Sequence, residues 1–134
     1  MAIISFDFDD CLHITIWERR DDKWHGQNKL NESLAARMRQ YHECGHEIVI
    51  VTYRNSKHEN DEWIMKYMPA RVLIEDFVKE HNLPVKAVHY TNHEPKGPVL
   101  RRLGCVLHFD DDLDAIFDAE EHGVRGVWIV STHY

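Results

Sequence analysis

No stretch of this sequence is apolar for long enough to cross a bilayer. The N-terminus has no basic region followed by an apolar core, so no secretory signal is expected. Cysteine is sparse and odd in number, at Cys11, Cys44 and Cys105, with no C-x-x-C pair. That argues against a disulfide framework and fits a reducing, cytoplasmic setting. A basic excess is also missing. The formal net charge is −7, which speaks against a broad nucleic-acid-coating surface but leaves room for a local basic groove. There is no internal repeat, low-complexity tract or Gly/Ser linker. No G-x-x-x-x-G-K-[ST] occurs, which excludes a P-loop kinase half.

What remains is an ordinary globular composition, 43% hydrophobic and 29% charged over 134 residues. It is enough for one domain, 1–134, with a single proper core. Strands and helices alternate along it. Residues 2–8 read as a buried strand that breaks at Asp7, Phe8, Asp9 and Asp10. Residues 12–30 read as a β-hairpin inserted after that strand: Ile14, Ile16 and Trp17 in a short strand, Asp21-Asp22-Lys23 in a turn, and Trp24 returning. Asn31 is placed to cap a helix whose apolar stripe is Leu34, Met38 and Tyr41 and whose stop is Gly45. Residues 47–51, EIVIV, form a β-branched run suited to a parallel strand covered on both faces, ending at Thr52. Helices are expected at 59–68, 75–82 and 98–103, and strands at 86–90 and 105–109. After Asp110, Asp111 and Asp112 come a helix containing Leu113, Ile116 and Phe117, and a last strand at 126–130.

Such alternation implies right-handed βαβ crossovers and an open parallel sheet of about five strands with helices on both faces. In these sheets ligands bind outside the carboxyl ends of the strands. Asp7, Thr52 and Asp110 each end a strand, so the two acidic stretches are expected to meet at one edge. Carboxylates repel at that distance unless a cation lies between them, and hard oxygen donors suit Mg²⁺, which typically also binds a substrate phosphate.

Together these residues resemble the haloacid dehalogenase superfamily of phosphatases. Asp7-Phe8-Asp9 matches its D-x-D motif, Thr52 its second motif, Lys96 its third and Asp110-Asp111 its acidic fourth. The order and the elements also agree over nearly the whole chain. Within the superfamily, IVIVTYRN and GVRGVWIVSTHY are similar to the phosphatase domain of phage polynucleotide kinase–phosphatase. The chain departs from the usual pattern at Asp10, Cys11 and Tyr53, and Asp112 adds a third carboxylate to the fourth motif. The resemblance implies a three-layer Rossmann-like fold with a small hairpin flap and no full cap domain. It implies Asp7 as nucleophile and Asp9 as general acid and then base. Thr52 and Lys96 would bind the phosphoryl oxygens and Arg54 a second substrate anion. Mg²⁺ would be held among Asp7, Asp9, Asp110 and Asp111, with either Asp110 or Asp111 as the direct ligand.

Each assignment has a plainer rival. Asp7 and Asp9 could form a solvated turn, and Asp110, Asp111 and Asp112 could cap a helix, which describes Asp112 best. Asp114 suits either a first helical turn or an outer partner of a metal. Thr52 could be a strand-end residue, Lys96 a surface lysine with Lys86 as its competitor, and Arg54 a solvated loop arginine. Arg19, Arg20 and Lys23 beside Trp17 and Trp24 could hold single-stranded nucleic acid, although a hairpin with packed tryptophans and solvated charges is the simpler reading. His42-Glu43-Cys44-Gly45-His46 satisfies H-E-x-x-H, but Gly45 stops the helix that zinc would need. His89 and His93 straddle a strand end. The expectation is a phosphoric monoester hydrolase of the cytoplasm, or host cytoplasm if viral. Its substrate would be a nucleic-acid 3′-phosphate or a nucleotide, with no membrane partner. A small-metabolite phosphatase and a non-catalytic module of the same fold are the alternatives.

Overall fold

Short β-branched and aromatic runs become the strands of one sheet, and the stripes of leucine and alanine between them become its cover. The computed structural model describes residues 1–55 and 72–130. In chain order these hold β1 (Ile3–Phe6), β2 (His13–Arg20), β3 (Lys23–Leu30), α1 (Glu32–Glu43) and β4 (Glu47–Thr52). Then follow α2 (Ile74–Glu80), β5 (Ala87–Tyr90), α3 (Gly97–Leu103), β6 (Cys105–Asp110), α4 (Leu113–Glu121) and β7 (Arg125–Trp128). The helix expected at 59–68 lies outside the described residues.

The main sheet has five strands in the order β5-β4-β1-β6-β7, and every pairing is parallel. The hydrophobic strand β1 sits at its centre. Because side chains alternate along a strand, each face carries its own core. Ile4, Phe6, Ile48, Ile50 and Phe109 face α1 and α2, packing on Leu34, Ala35, Met38, Ile74 and Phe77. Phe6 and Phe109 stack with ring centroids 4.6 Å apart. Val49 and Val51 face the other way, onto Leu100 of α3 and Ala119 of α4. Helices thus cover both faces, as the alternation of elements implies.

β1 is shorter than the expected strand. It ends at Phe6 because the chain turns at once: Asp10 adopts a left-handed φ of 59°, and the N–H groups of Cys11 and His13 both donate to Phe8 O. The hairpin falls within the expected 12–30, but its strands are longer than the short ones expected, with eight residues in each paired from His13↔Leu30 to Arg20↔Lys23. Its turn needs only Asp21 and Asp22, both with positive φ (53° and 60°), a conformation that aspartate tolerates and that matches the twist of the strands. Asn31 caps α1, its Oδ1 accepting from Leu34 N at 3.2 Å, and Gly45 closes the far end at φ 90°. His46 therefore falls beyond α1, where its Nδ1 accepts from Ala2 N, so the H-E-x-x-H residues do not share one helix.

Candidate active site

Three neighbouring strands, β4, β1 and β6, deliver Thr52, Asp7 and Asp110 to one edge. Asp7 lies one residue beyond β1, and its N–H still donates to Phe109 O at 2.8 Å, which fixes the side chain beside β6. Lys96 arrives from the loop before α3 and is wholly buried. Its Nζ donates to Asp7 Oδ1 and to Asp110 Oδ2, each at 2.7 Å. The rival Lys86 is exposed and paired with Glu47 at the start of β4, at the other end of the strand.

Gly97 allows Lys96 this position. Its N–H donates to Asp118 Oδ2 of α4 at 2.6 Å, and a Cβ there would lie 2.6 Å from Asp118 Oδ1. Only a residue without a side chain brings α3 that close to α4.

Asp7, Asp110 and Asp111 each present an oxygen within 4.8 Å of the other two. One lysine among three carboxylates leaves an excess of negative charge, and the titration of the groups reflects it. Burial pushes the Asp7 carboxyl well above its ordinary value; Lys96 pulls against this, and Asp110 and Asp111 add to it. Burial also raises Asp111, to about 6, with Asp110 and Asp10 contributing. Burial acts on Asp110 in the same sense, but the charge of Lys96 and the hydrogen bond from His108 outweigh it and hold that carboxyl below the usual range. For Lys96, burial acts to lower the ammonium, and its two aspartates overcome that and raise it. Three convergent carboxylate oxygens are a donor set that fits a hard divalent cation such as Mg²⁺.

Asp9 and Arg54 stand together beside this cluster. Arg54 donates from Nε to Asp9 Oδ2 at 2.9 Å and from Nη2 to Asp9 Oδ1 at 2.7 Å. It also donates from Nη1 to Val72 O and lies over the Phe8 ring, 5.0 Å from the centroid. Arg54 is thus buried rather than solvated, and its contacts run to Asp9. Thr52 Oγ1 accepts from Arg54 N at 3.2 Å, tying the end of β4 to the same pair. Asp112 caps α4, accepting from Asp114 N at 2.9 Å, in agreement with its plainer reading. Lys96 Nζ also lies 4.5 Å from the centroid of the Tyr53 ring.

The cluster opens into a cleft of about 960 Å³ whose walls include Asp7, Asp9, Thr52, Tyr53, Arg54 and Asp111. Asp10, Asp112, Asp114 and Asp118 bring further carboxylates to it, and His93 and Pro95 form part of the rim. No residue of the hairpin lines it.

No family model matches the chain, and no curated protein matches it. Among solved structures, a chain in the Pnkp1/Rnl/Hen1 RNA repair complex is similar, with a TM-score of 0.61 over 96% of this chain at 12% identity. This chain spans 42% of that one. At such low identity the likeness concerns the fold: a five-stranded parallel α/β sheet compatible with a Rossmann-like arrangement.

Two buried residues at the site escaped the sequence reading, Ser5 and His108. His108 Nε2 lies 2.7 Å from Asp110 Oδ2, and its Nδ1 lies 2.7 Å from Ser5 Oγ. Each was visible as a polar residue inside an apolar strand, two positions before a site aspartate and therefore on the same face.

Proposed function

We propose that the protein is a Mg²⁺-dependent phosphomonoester hydrolase of the haloacid dehalogenase type that works through an aspartyl-phosphate on Asp7. The observation that carries this reading is the buried Asp7–Lys96–Asp110 arrangement, with Asp111 beside it, at the carboxyl edge of a parallel sheet. A phosphate entering a cleft walled by so many carboxylates would meet repulsion, so the reading requires a cation in the acidic cluster.

In this mechanism Lys96 holds Asp7 by Oδ1, leaving Oδ2 as the attacking oxygen. Asp7 forms a bond to phosphorus as the bond from phosphorus to the leaving oxygen breaks, and Asp9 gives that oxygen a proton. Asp9 then takes a proton from water as the water attacks the aspartyl-phosphate, releasing phosphate and restoring Asp7. Arg54 orients Asp9, and because it donates to both oxygens, one of them must leave Arg54 to carry the proton of the first transfer. Thr52 and Lys96 supply hydrogen bonds to the phosphoryl oxygens, where positioning and electrostatics account for most of the rate. Asp7, Asp110 and Asp111 would hold Mg²⁺, which supplies charge neutralisation for the transferring group.

The substrate favoured is a polynucleotide 3′-phosphate or a nucleotide. The open cleft supports a large substrate, and the fold it shares with a chain of an RNA repair complex supports end processing. The test is phosphate release from a 3′-phosphorylated RNA oligonucleotide and from the matching 3′-mononucleotide, with Mg²⁺ and with chelator. Metal-dependent release that disappears in Asp7→Asn is the expected result. Preference for the mononucleotide would move the substrate to nucleotides, and no release from either would overturn the reading for both.

A further inference from the structure

Ser5 and His108 are register partners on the two central strands, and both are wholly buried. They share the face of the sheet that carries Asp7 and Asp110. Apolar residues there would pack against Val49, Val51 and Leu100 with no polar group to satisfy, whereas a buried polar side chain is unfavourable unless fully hydrogen-bonded. Through His108 their bonds lead to Asp110. His108 Nε2 meets Asp110 Oδ2, the same oxygen that Lys96 holds, and both distances are 2.7 Å. The other oxygen, Oδ1, accepts from Asp112 N at 3.0 Å.

The direction of the bond to Asp110 follows from the chemistry. An ionised carboxylate only accepts, which assigns the proton to Nε2. On the other side of the ring, Nδ1 lies 2.7 Å from Ser5 Oγ, whose hydroxyl also reaches Leu107 O at 3.2 Å. Ser5 thereby anchors the ring whose Nε2–H holds Asp110.

We propose that His108, anchored by Ser5, is the positioning residue for Asp110 and thereby sets the metal affinity of the site. This inference rests on the metal-dependent reading above. Lys96 alone cannot fix Asp110, because it is shared with Asp7. Without the imidazole, the carboxylate keeps one shared cation at Oδ2 and one backbone N–H at Oδ1, and it can turn about χ2. Mg²⁺ demands near-ideal octahedral geometry, so a rotated ligand weakens binding.

The experiment is Mn²⁺ binding to the full chain, followed by electron paramagnetic resonance of the free ion, with folding checked by circular dichroism. His108→Leu removes the donor at similar bulk, and the dissociation constant is expected to rise about 10- to 100-fold. His108→Gln returns an N–H near the position of Nε2 and is expected to recover part of the loss. Ser5→Ala, a smaller change, is expected to weaken Mn²⁺ less than His108→Leu, and it carries the test should His108→Leu not fold. Activity of the variants is expected to return toward wild type as Mg²⁺ is raised. Folded His108 and Ser5 variants that bind Mn²⁺ like the wild type would overturn this inference alone. Mn²⁺ binding that Asp110→Asn leaves unchanged would overturn this inference and leave Asp111 as the ligand, whereas no binding by the wild type would overturn the metal reading and this inference with it.

Discussion

Arg54 grips both oxygens of Asp9, at 2.9 Å and 2.7 Å, while its own flank lies on Phe8 and its third nitrogen reaches Val72 O. This bidentate geometry is one that lysine cannot reproduce. Arg54→Lys is therefore expected to lower kcat, by about 10²-fold if Asp9 shifts by an ångström, with little change in KM. Steady-state kinetics on a phosphomonoester checks this. A rise in KM with kcat unchanged would instead mark Arg54 as a substrate clamp.

Lys96 is the only cation bonded to Asp7 and Asp110 among the described residues. Lys96→Met keeps much of the volume and removes the charge, leaving two buried carboxylates facing each other. Breaking a buried pair in this way costs about 3–5 kcal/mol. Urea unfolding in chelator is expected to show that loss, and Mg²⁺ is expected to restore part of it.

Asp111 makes stability depend on pH. Its carboxyl is raised from 3.8 to about 6 in the folded protein, first by burial and then by Asp110 and Asp10. Between those values the folded chain holds a proton that the unfolded chain has released. The contribution to stability is therefore full below the unfolded value and is lost as pH rises through about 6. In chelator, Asp111→Asn is expected to gain on the wild type near neutral pH, by on the order of 1 kcal/mol after solvent screening, and not in acid. Thermal melts across that range measure it. With Mg²⁺ at 100 times its dissociation constant, the wild type gains about 2.7 kcal/mol and Asp111→Asn gains less.

Gly97→Ala would press a methyl group into His122 Nδ1 and into Asp118, which already accepts the Gly97 N–H and lies 3.3 Å from that His122 nitrogen. The expected loss is about 1–3 kcal/mol. Because Lys96 is the adjacent residue, activity is expected to fall further than the population of folded protein does. Comparing kcat with the folded fraction at one temperature separates the two effects.

Much of this site could be read from residues alone. Asp7, Thr52 and Asp110 announced themselves as polar ends of apolar runs, and parallel topology brings such ends together whatever the details of packing. The partnership of Arg54 with Asp9 was not legible, because 45 residues separate them and no local pattern encodes the meeting. The limits of β1 were misjudged for a related reason. Phe8 is as apolar as any strand residue, but its carbonyl is used to turn the chain, receiving Cys11 and His13. Ser5 and His108 are legible in principle, from the two-residue spacing to Asp7 and Asp110.

The hairpin leaves the body and returns at almost the same point. Asn31 N donates to Leu12 O at 2.8 Å, and Asn31 Nδ2 donates to Cys11 O at 3.0 Å, so one asparagine stitches the neck shut and caps α1 as well. His13, Thr15 and Leu30 at the hairpin's base are buried, and His13 packs on Phe8 and Phe77, but everything beyond them is a detachable arm. Those outer paired positions can lengthen, shorten or change chemistry while the entry and exit of the chain stay put. Evolution, or a protein engineer, has here a splice site at which a new accessory can be grafted without re-tuning the machinery beneath it.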